Sequence, residues 1–339
     1  CKAVTLCRNG SKINGSCNNS VLNTQSQSVT LIYVDGVKGW QDIHDSTANV
    51  TGAAYTSATG GTVTTSGDFK IHTFNSDANF VVSSVGNDAG GTNKVSYMVV
   101  AGGGGGAGQT GQSSAGGGGG GAGGYREGKV SNDPYSASPT ACTSGCNAGL
   151  TVTAATFPIT VGGGGATWSS PYTTATSRGV QGSTSTFSTI SSAGGGGGGG
   201  RTPGGPAEAV PGGDGGSGGG SGGGGNVPGG TGNTPPVTPA QGTNGGTRSG
   251  APTQGASGGG GGTAAGTGGS GACGGVGGTG ATSSINGTPT ARAGGGSGGD
   301  AGSSQTGGTG GGGASGNFNS GTSAGGPPES NGAAGTANT

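Results

Sequence analysis

Few residues in this sequence have the type and spacing that acid–base or nucleophilic catalysis needs. Beyond Val130 the chain holds five acidic residues, and no two of them are spaced like a catalytic carboxylate pair. His44 and His72 are the two imidazoles in the sequence. The many Gly-x-Gly-x-x-Gly matches follow from the composition, because no strand-to-helix unit accompanies them. We therefore predict that the protein is not an enzyme.

Two patterns have the residue types of a metal site or a disulfide bond. Asp42-Ile-His44-Asp45 offers metal ligands but is predicted to be a solvated turn after a strand. The six cysteines include no Cys-x-x-Cys pair, and neither histidine has zinc-type spacing to a pair of cysteines. Cys142-Thr-Ser-Gly-Cys146 could close a small disulfide loop, although spacing does not determine pairing. We expect no metal ion and no cofactor.

Binding fits these residues better than catalysis. Aromatic and guanidinium side chains dominate binding hot spots, and loops on a rigid scaffold present them. The insert from Ala166 to Ala193 lies between two long glycine runs, and we predict that it binds a receptor through Trp168, Tyr172, Arg178 and Phe187. Three further candidates are Tyr135, Arg201 and Phe318. An alternative is that Trp168 and Tyr172 only cap the end of the glycine-rich structure.

The composition limits which structure can position these side chains. Glycine makes up 96 of the 339 residues, and 11 of those glycines lie in the first 100 positions. Charged residues are 7% of the chain, aromatic residues are 4%, and the formal net charge is +0. The sequence therefore has no basic stripe for nucleic acid and no apolar run long enough for a transmembrane helix. The glycine-rich part cannot form an ordinary hydrophobic core.

Residues 1–100 are predicted to be β-rich, and residues 101–339 to be a glycine-rich domain with short β segments near 125–161. β-Branched and aromatic residues between turn-forming residues indicate the strands, and no segment has helical periodicity. Residues 75–79 have the length of a hairpin loop between the second and third predicted strands, and no strand is predicted after about residue 190. The predicted strands are Val29–Val34, Phe69–Phe74, 80–84, Val95–Val100, 125–130 and 157–161.

The order of residues within the glycine-rich part has a three-residue period. Thr267, Ser270, Cys273, Val276 and Thr279 are each three positions apart, and the residues between them are glycine except for one alanine. Three residues per turn is the period of a polyproline-II-type helix. We predict a bundle of polyproline-II or polyglycine-II helices held together by backbone hydrogen bonds. The alternative is a flexible Gly/Ser linker. Such a linker would not require a side chain at every third position.

Two groups of motifs resemble bacteriophage tail-fibre proteins. Asn9–Gly15, Ser28–Val34 and Lys38-Gly-Trp40 are similar to a β-rich repeat of those proteins. Ser96–Gly105 and Gly123–Gly128 resemble the glycine-rich domain of phage receptor-binding proteins. Glycine runs that alternate with variable inserts are also similar to the adhesins that cap the long tail fibres of T-even-type phages. The motifs cover about residues 9–40 and 95–130, and the remaining chain matches only in style.

The resemblance implies a non-enzymatic tail-fibre tip that is part of the virion, acts outside the cell and attaches to a bacterial host. The implied partners are an outer-membrane protein or surface polysaccharide, together with other tail-fibre or baseplate proteins. The fibre-like part implies a homotrimer and the adhesin-like part a monomer; we favour the trimer, with Leu31, Tyr33 and Trp40 contacting other copies. We expect no nucleic acid partner and no membrane insertion. The alternative function is a secreted glycine-rich ice-binding or cell-surface structural protein.

Because the sequence begins at Cys1 rather than at Met, we expect it to be part of a longer protein.

Overall fold

The structure, a computed structural model, is all-β and contains no α-helix in the residues that it describes. These residues are 4–22, 28–45, 55–86, 93–108, 116–145, 148–168, 177–201, 209–249, 255–299, 304–315 and 333–337. The prediction of essentially no α-helix is confirmed for this part. The strands are β1 (Val4–Leu6), β2 (Ser20–Leu22), β3 (Val29–Asp35), β4 (Gly39–Asp45), β5 (Ser57–Thr59), β6 (Thr62–Ser66), β7 (Phe69–Thr73), β8 (Ala78–Ser84), β9 (Lys94–Val95), β10 (Tyr97–Val100), β11 (Tyr125–Gly128), β12 (Leu150–Thr151), β13 (Thr156–Thr160), β14 (Ser185–Phe187), β15 (Ile190–Ser192), β16 (Ala281–Ser283) and β17 (Thr290–Arg292).

The chain divides into two compact units. Unit 1 comprises Cys1–Ser57 and Ser84–Asn93, and unit 2 comprises Ala58–Ser83 and Lys94–Thr339. These boundaries differ from the predicted division at residue 100, because strands on the two sides of that position pair with each other. Strand β8 pairs with β13, and strand β10 pairs with β11.

Unit 1 is built on the ribbon of strands β3 and β4. The ring of Tyr33 lies across the strands from Trp40, in an edge-on contact with ring centroids 5.4 Å apart. Gly39 connects this ribbon to the preceding segment: its φ is +72°, and a Cβ there would lie 2.1 Å from the carbonyl oxygen of Lys12. The prediction of a turn at residues 42–45 is wrong, because these residues continue β4. Asp42, His44 and Asp45 pair with residues of β3, and a β-bulge falls at Ile43.

Unit 1 buries little apolar surface. Among the described residues of this unit, Ile13 is the one hydrophobic residue that is buried, whereas Ile32, Val34 and Val37 are exposed. A two-stranded ribbon alone is marginally stable in water.

The apolar side chains of unit 2 cluster in its β-rich part, which includes a five-stranded sheet with the order β15-β14-β13-β8-β5. Phe80 lies at the centre of one cluster, and the rings of Phe157 and Phe187 contact it. A second cluster packs Tyr97 and Val99 against Ile190. Apolar clusters therefore continue beyond residue 101, where the glycine content predicted none.

Three predictions about strands in unit 2 are wrong. Strand β7 pairs with β6 rather than with β8, so residues 75–79 are not a hairpin loop. The segment from Val95 to Val100 is divided between β9 and β10, which pair with different strands. Strands β16 and β17 form a hairpin well beyond residue 190. Short strands of small residues carry little local signal, and Ala281 and Ala293 are ordered by packing against Tyr125.

The remainder of unit 2 consists of glycine-rich segments whose backbones hydrogen-bond to one another outside the strands. None of the glycines at 102–106, 116–121 or 194–200 has a positive φ. We call these segments the glycine array; they are 101–108, 116–124, 161–168, 177–183, 193–201, 209–216, 217–223, 227–233, 241–249, 255–262, 264–269, 273–280, 293–299 and 304–309.

Hydrogen bonding in the glycine array repeats every three residues, as segment 116–124 illustrates. The amides of residues 118, 121 and 124 donate to segment 193–201, at the carbonyls of Gly199, Gly196 and Ala193, each at 2.8 Å. The carbonyls of the same three residues accept bonds from segment 101–108, from the amides of Ala107, Gly104 and Ala101 at 3.0, 2.8 and 3.0 Å. The amides of the next residues along, 119 and 122, donate instead to Ser257 and Gly260 at 3.0 and 2.9 Å. One segment is therefore bonded to several neighbours at once.

The segments lie so close together that side chains are excluded from most of the contacts. A Cβ on Gly102, Gly104 or Gly105 would lie 2.0, 2.2 or 2.0 Å from a carbonyl oxygen; the oxygens facing Gly102 and Gly105 belong to segment 161–168, and the one facing Gly104 belongs to segment 193–201. Such distances are far below van der Waals contact. Serine fits where there is slightly more room: the buried hydroxyls of Ser221 and Ser257 hydrogen-bond each other at 2.9 Å.

The hydrogen-bond register also gives each segment a direction, and the directions define two ends. Segments 101–108, 161–168 and 193–201 run the same way, and segments 116–124 and 177–183 run the opposite way. Residues 108, 116, 168, 177, 201 and 209 therefore lie at one end, which we call the loop end. Strands β10, β11, β14 and β15 lie at the other, which we call the sheet end.

Two glycine-to-alanine substitutions test whether close backbone contact holds the array together. Gly120→Ala places a Cβ 2.0 Å from the carbonyl oxygen of Gly104, and we expect a loss of about 1–3 kcal/mol in the free energy of unfolding from overpacking. Gly163→Ala is the matched control, because a Cβ at the exposed Gly163 meets nothing within 4 Å. We expect it to be neutral or to stabilise by up to about 1 kcal/mol through the unfolded state. Equal effects in chemical denaturation would contradict this account.

Candidate functional site

The loop end brings together three of the predicted binding residues, Trp168, Arg178 and Arg201. The amide of Val180 donates to the carbonyl of Ala166 at 2.9 Å, and Trp168 and Arg178 lie two residues beyond that bond on their respective segments. The amide of Gly200 in turn donates to Ser177 at 2.6 Å, and the Ser177 hydroxyl donates to the carbonyl of Arg201. The three residues thus lie at the same level on three successive segments. We call them the Trp-Arg-Arg corner.

Both arginines of this corner contact the same neighbouring stretch of the array, residues 209–211. The exposed Arg178 side chain donates from Nε to the carbonyl of Pro211 at 3.0 Å. Arg201 forms a β-bridge with Ala209. The Nε of Arg201 is buried and has no hydrogen-bond partner among the described residues. Trp168 is half-buried, and its backbone is held at both ends, by Gly106 at 3.1 Å and Gly108 at 2.9 Å.

The loop end also holds an arginine that the sequence did not single out. Arg248 is 0% exposed, and its Nη1 donates to the carbonyl of Gly255 at 2.6 Å. Burial lowers the pKa of this guanidinium. The sequence does not reveal this position, because it depends on which glycine segments are hydrogen-bonded neighbours. In the part of the loop end that the structure describes, the charged side chains are Arg178, Arg201 and Arg248, all positive.

Other predicted binding residues lie elsewhere. The stretch from Ala166 to Ala193 is not a single insert, because residues 177–183 return through the array and strands β14 and β15 follow at the sheet end. Phe187 accordingly packs against Phe80 and Phe157, with ring centroids 5.8 and 6.2 Å apart, and does not join Trp168. Tyr172 and Phe318 lie outside the described residues.

Tyr135 lies away from the loop end, in the stretch that follows β11. The amide of the next residue, Ser136, donates to the hydroxyl of Ser284 at 2.9 Å, close to the β16–β17 hairpin. The Nζ of Lys129 lies 5.4 Å from the centre of the Tyr135 ring. The hydroxyl oxygen of Tyr135 is buried and has no hydrogen-bond partner among the described residues.

Cys142, the first half of the predicted disulfide, has a free thiol that donates to the carbonyl of Ser144 at 3.0 Å. Cys146 lies outside the described residues, so the pairing stays a prediction. Cys7, Cys17 and Cys273 are exposed free cysteines. Within the described residues, no cluster of three or more His, Cys, Asp or Glu side chains is arranged to hold a metal ion.

A buried polar cluster at the sheet end was not predicted. Glu127 is 2% exposed, and its carboxylate accepts hydrogen bonds from the hydroxyls of Tyr125 and Ser283, both at 2.7 Å, and from the amide of Ser138 at 3.0 Å. Burial, followed by the charge of Glu127, raises the pKa of the Tyr125 hydroxyl far above its usual value. The cluster joins β11 to β16, because the hydrogen bond from Ser283 to Glu127 links residues that are 156 positions apart in the sequence. Both oxygens of the carboxylate are hydrogen-bonded within the protein, which indicates a structural rather than a chemical role.

No protein-family model, curated protein or solved structure matches this chain. In the part of the chain that the structure describes, no helix has the length and hydropathy that crossing a membrane requires. The Trp-Arg-Arg corner offers an exposed guanidinium at Arg178, a half-buried one at Arg201 and a half-buried indole at Trp168 on a close-packed framework, and side chains of these types are suited to binding.

Two tyrosine-to-phenylalanine substitutions separate the satisfied hydroxyl from the unsatisfied one. Tyr125→Phe removes a hydrogen bond to the buried Glu127 carboxylate, and we expect it to lower the free energy of unfolding by about 1.5–3 kcal/mol. Tyr135→Phe makes the same chemical change where the buried hydroxyl has no described partner. We expect that change to be neutral or stabilising, because no hydrogen bond is lost. Urea unfolding of both variants measures the difference, and a larger loss at Tyr135 would refute this assignment.

Proposed function

We propose that this protein is a non-enzymatic adhesin, the distal part of a phage tail fibre, which attaches to a receptor on a bacterial host surface through the loop end. The observation that carries the proposal is the position of the Trp-Arg-Arg corner at one end of a close-packed array. A rigid framework that presents hot-spot side chains at one end is suited to recognition. The proposed location is the virion, outside the cell, with other tail-fibre or baseplate proteins as assembly partners.

We also propose that the glycine array is a polyglycine-II bundle. Three features support this proposal: the three-residue repeat of hydrogen bonding, the absence of positive φ in the runs at 102–106, 116–121 and 194–200, and the exclusion of Cβ atoms at most contacts. A helix with three residues per turn presents successive residues to different neighbours. Such a bundle would keep the loop end fixed without a hydrophobic core beneath it.

Ice binding is the alternative function, and the threonines of the array bear on it. Thr263 is hydrogen-bonded to the carbonyl of Gly280 at 3.0 Å, and the hydroxyl of Thr267 accepts a bond from the amide of Val276 at 2.6 Å. These hydroxyls are engaged within the array, which favours attachment over ice binding. A thermal-hysteresis assay separates the two functions directly.

Attachment is tested by binding of the fluorescently labelled full chain to a panel of bacterial strains, measured by flow cytometry. We expect the chain to bind some strains, and Trp168→Ala to lower that binding about tenfold or more, since truncating a hot-spot aromatic costs roughly 2 kcal/mol or more. Val276→Ala is the control, because Val276 is exposed on the array away from both ends. Thermal denaturation of the Trp168 variant distinguishes binding from capping: a large stability loss would support the cap instead.

The homotrimer is proposed from the exposed apolar side chains of unit 1. Tyr33 is 48% exposed and Trp40 39% exposed on the β3–β4 ribbon, which has little core of its own. Light scattering should give three times the 30.6 kDa of one chain. Tyr33→Asn should weaken the trimer, while Val63→Asn, at an equally exposed position in unit 2, should leave it intact. A stable monomer of the unmodified chain would rule the trimer out.

A further inference from the structure

The chemistry of the Trp-Arg-Arg corner indicates the class of receptor that it binds. We propose that the corner binds an anionic saccharide, a sugar unit that carries a phosphate or a carboxylate; this inference rests on the attachment function proposed above. The proposal uses the described residues Trp168, Arg178 and Arg201 alone.

The two guanidinium groups provide the anion-binding part. Arginine pairs with carboxylate and phosphate oxygens through parallel N–H bonds, and these charge-assisted bonds are stronger than neutral ones. Arg178 is oriented in advance, because its Nε is bonded to Pro211 and the rest of the exposed group faces solvent. Arg201 is half-buried and supplies a second guanidinium group on the neighbouring segment.

No described carboxylate competes for these arginines at the loop end. Asp214 lies on the same stretch as Pro211 but three residues further towards the sheet end, and its Oδ1 accepts a bond from the amide of Thr231 at 2.6 Å. The whole chain has a formal net charge of +0, so attraction to an anion has to come from a local cluster rather than from the protein's overall field. The described arginines of the loop end supply that cluster.

Trp168 provides the apolar part. Sugar rings have a face of C–H groups, and a half-buried indole offers a flat apolar surface with little side-chain entropy to lose. Trp168, Arg178 and Arg201 lie at the same level on three neighbouring segments, so one ring and two guanidinium groups are available at this end, which fits a charged sugar unit. A protein receptor would need a larger apolar patch at the centre of its interface, and the described loop end shows none.

The test measures binding of the full chain to three immobilised polysaccharides by biolayer interferometry. Phosphomannan carries phosphate, polygalacturonate carries carboxylate, and dextran is neutral. We expect binding to at least one of the two anionic polymers and not to dextran, and we expect that binding to weaken as ionic strength rises. The anionic polymer that binds identifies which charged group the corner prefers.

Substitutions assign the binding to the corner. Arg178→Gln combined with Arg201→Gln should reduce affinity for the anionic polymer about tenfold or more, because the charge-assisted bonds from both guanidinium groups are lost. Arg126→Gln removes the same charge at the sheet end, where Arg126 bonds the carbonyl of Ser191, and should change affinity less than about twofold. An unchanged affinity in the double variant, or equal binding to dextran, would overturn the inference.

The strain panel keeps the two proposals separate. A chain that binds bacterial cells but neither anionic polymer retains its attachment function and points to a protein receptor, which overturns the saccharide inference alone. A chain that binds neither cells nor polymers overturns both. Binding to cells that falls with the arginine pair and is competed by the soluble anionic polymer supports both.

Discussion

The described part of unit 2 depends on backbone hydrogen bonds between segments that approach too closely for a side chain to fit. A glycine loses more conformational freedom on folding than any other residue, and one backbone hydrogen bond offsets only part of that loss. A single glycine segment would therefore not be ordered. Segment 116–124 has partners in segments 101–108, 193–201 and 255–262 simultaneously, and stability comes from this number of neighbours rather than from apolar burial.

Part of this arrangement could be predicted from the sequence. The three-residue spacing of Thr267, Ser270 and Cys273 predicts that successive residues face different directions, and hydrogen bonding in the array repeats with that period. The absence of helix and the β3 and β7 strands were also predictable, because β-branched and aromatic residues favour strands locally. Which segments become neighbours was not predictable, because glycine has no side chain that distinguishes one neighbour from another. The Trp-Arg-Arg corner depends on that pairing. Its three residues could be predicted individually, but not that they lie together.

The segment 177–183 shows why the predicted insert was too long. It looks like a variable loop, with two glycines that lie three positions apart, Gly179 and Gly182. In the array these two glycines face the same neighbour, and a Cβ on them would lie 1.9 and 2.0 Å from the carbonyl oxygens of Gly105 and Gly102. One glycine in three is thus enough where a segment has one very close neighbour. The three-residue spacing of these glycines was the signal in the sequence that segment 177–183 belongs to the array. Because this segment runs through the array, Trp168 and Phe187 lie at opposite ends of it.

The two ends of the array are stabilised by different physics, and this difference predicts where substitutions are tolerated. At the sheet end, Tyr125 and Glu127 combine apolar packing with a hydrogen-bonded polar cluster, so a change there removes interactions that hold distant strands together. In the middle, an added methyl group meets a backbone carbonyl at most glycines, as at Gly120, although not at Gly163. At the loop end, exposed side chains such as Arg178 project from a backbone whose own hydrogen bonds are made to neighbouring segments. Because most of those bonds do not involve side chains, we expect exposed residues there to be exchanged with little effect on the framework. The residues whose side chains bond to the backbone, such as Ser177 and Arg248, are the exceptions.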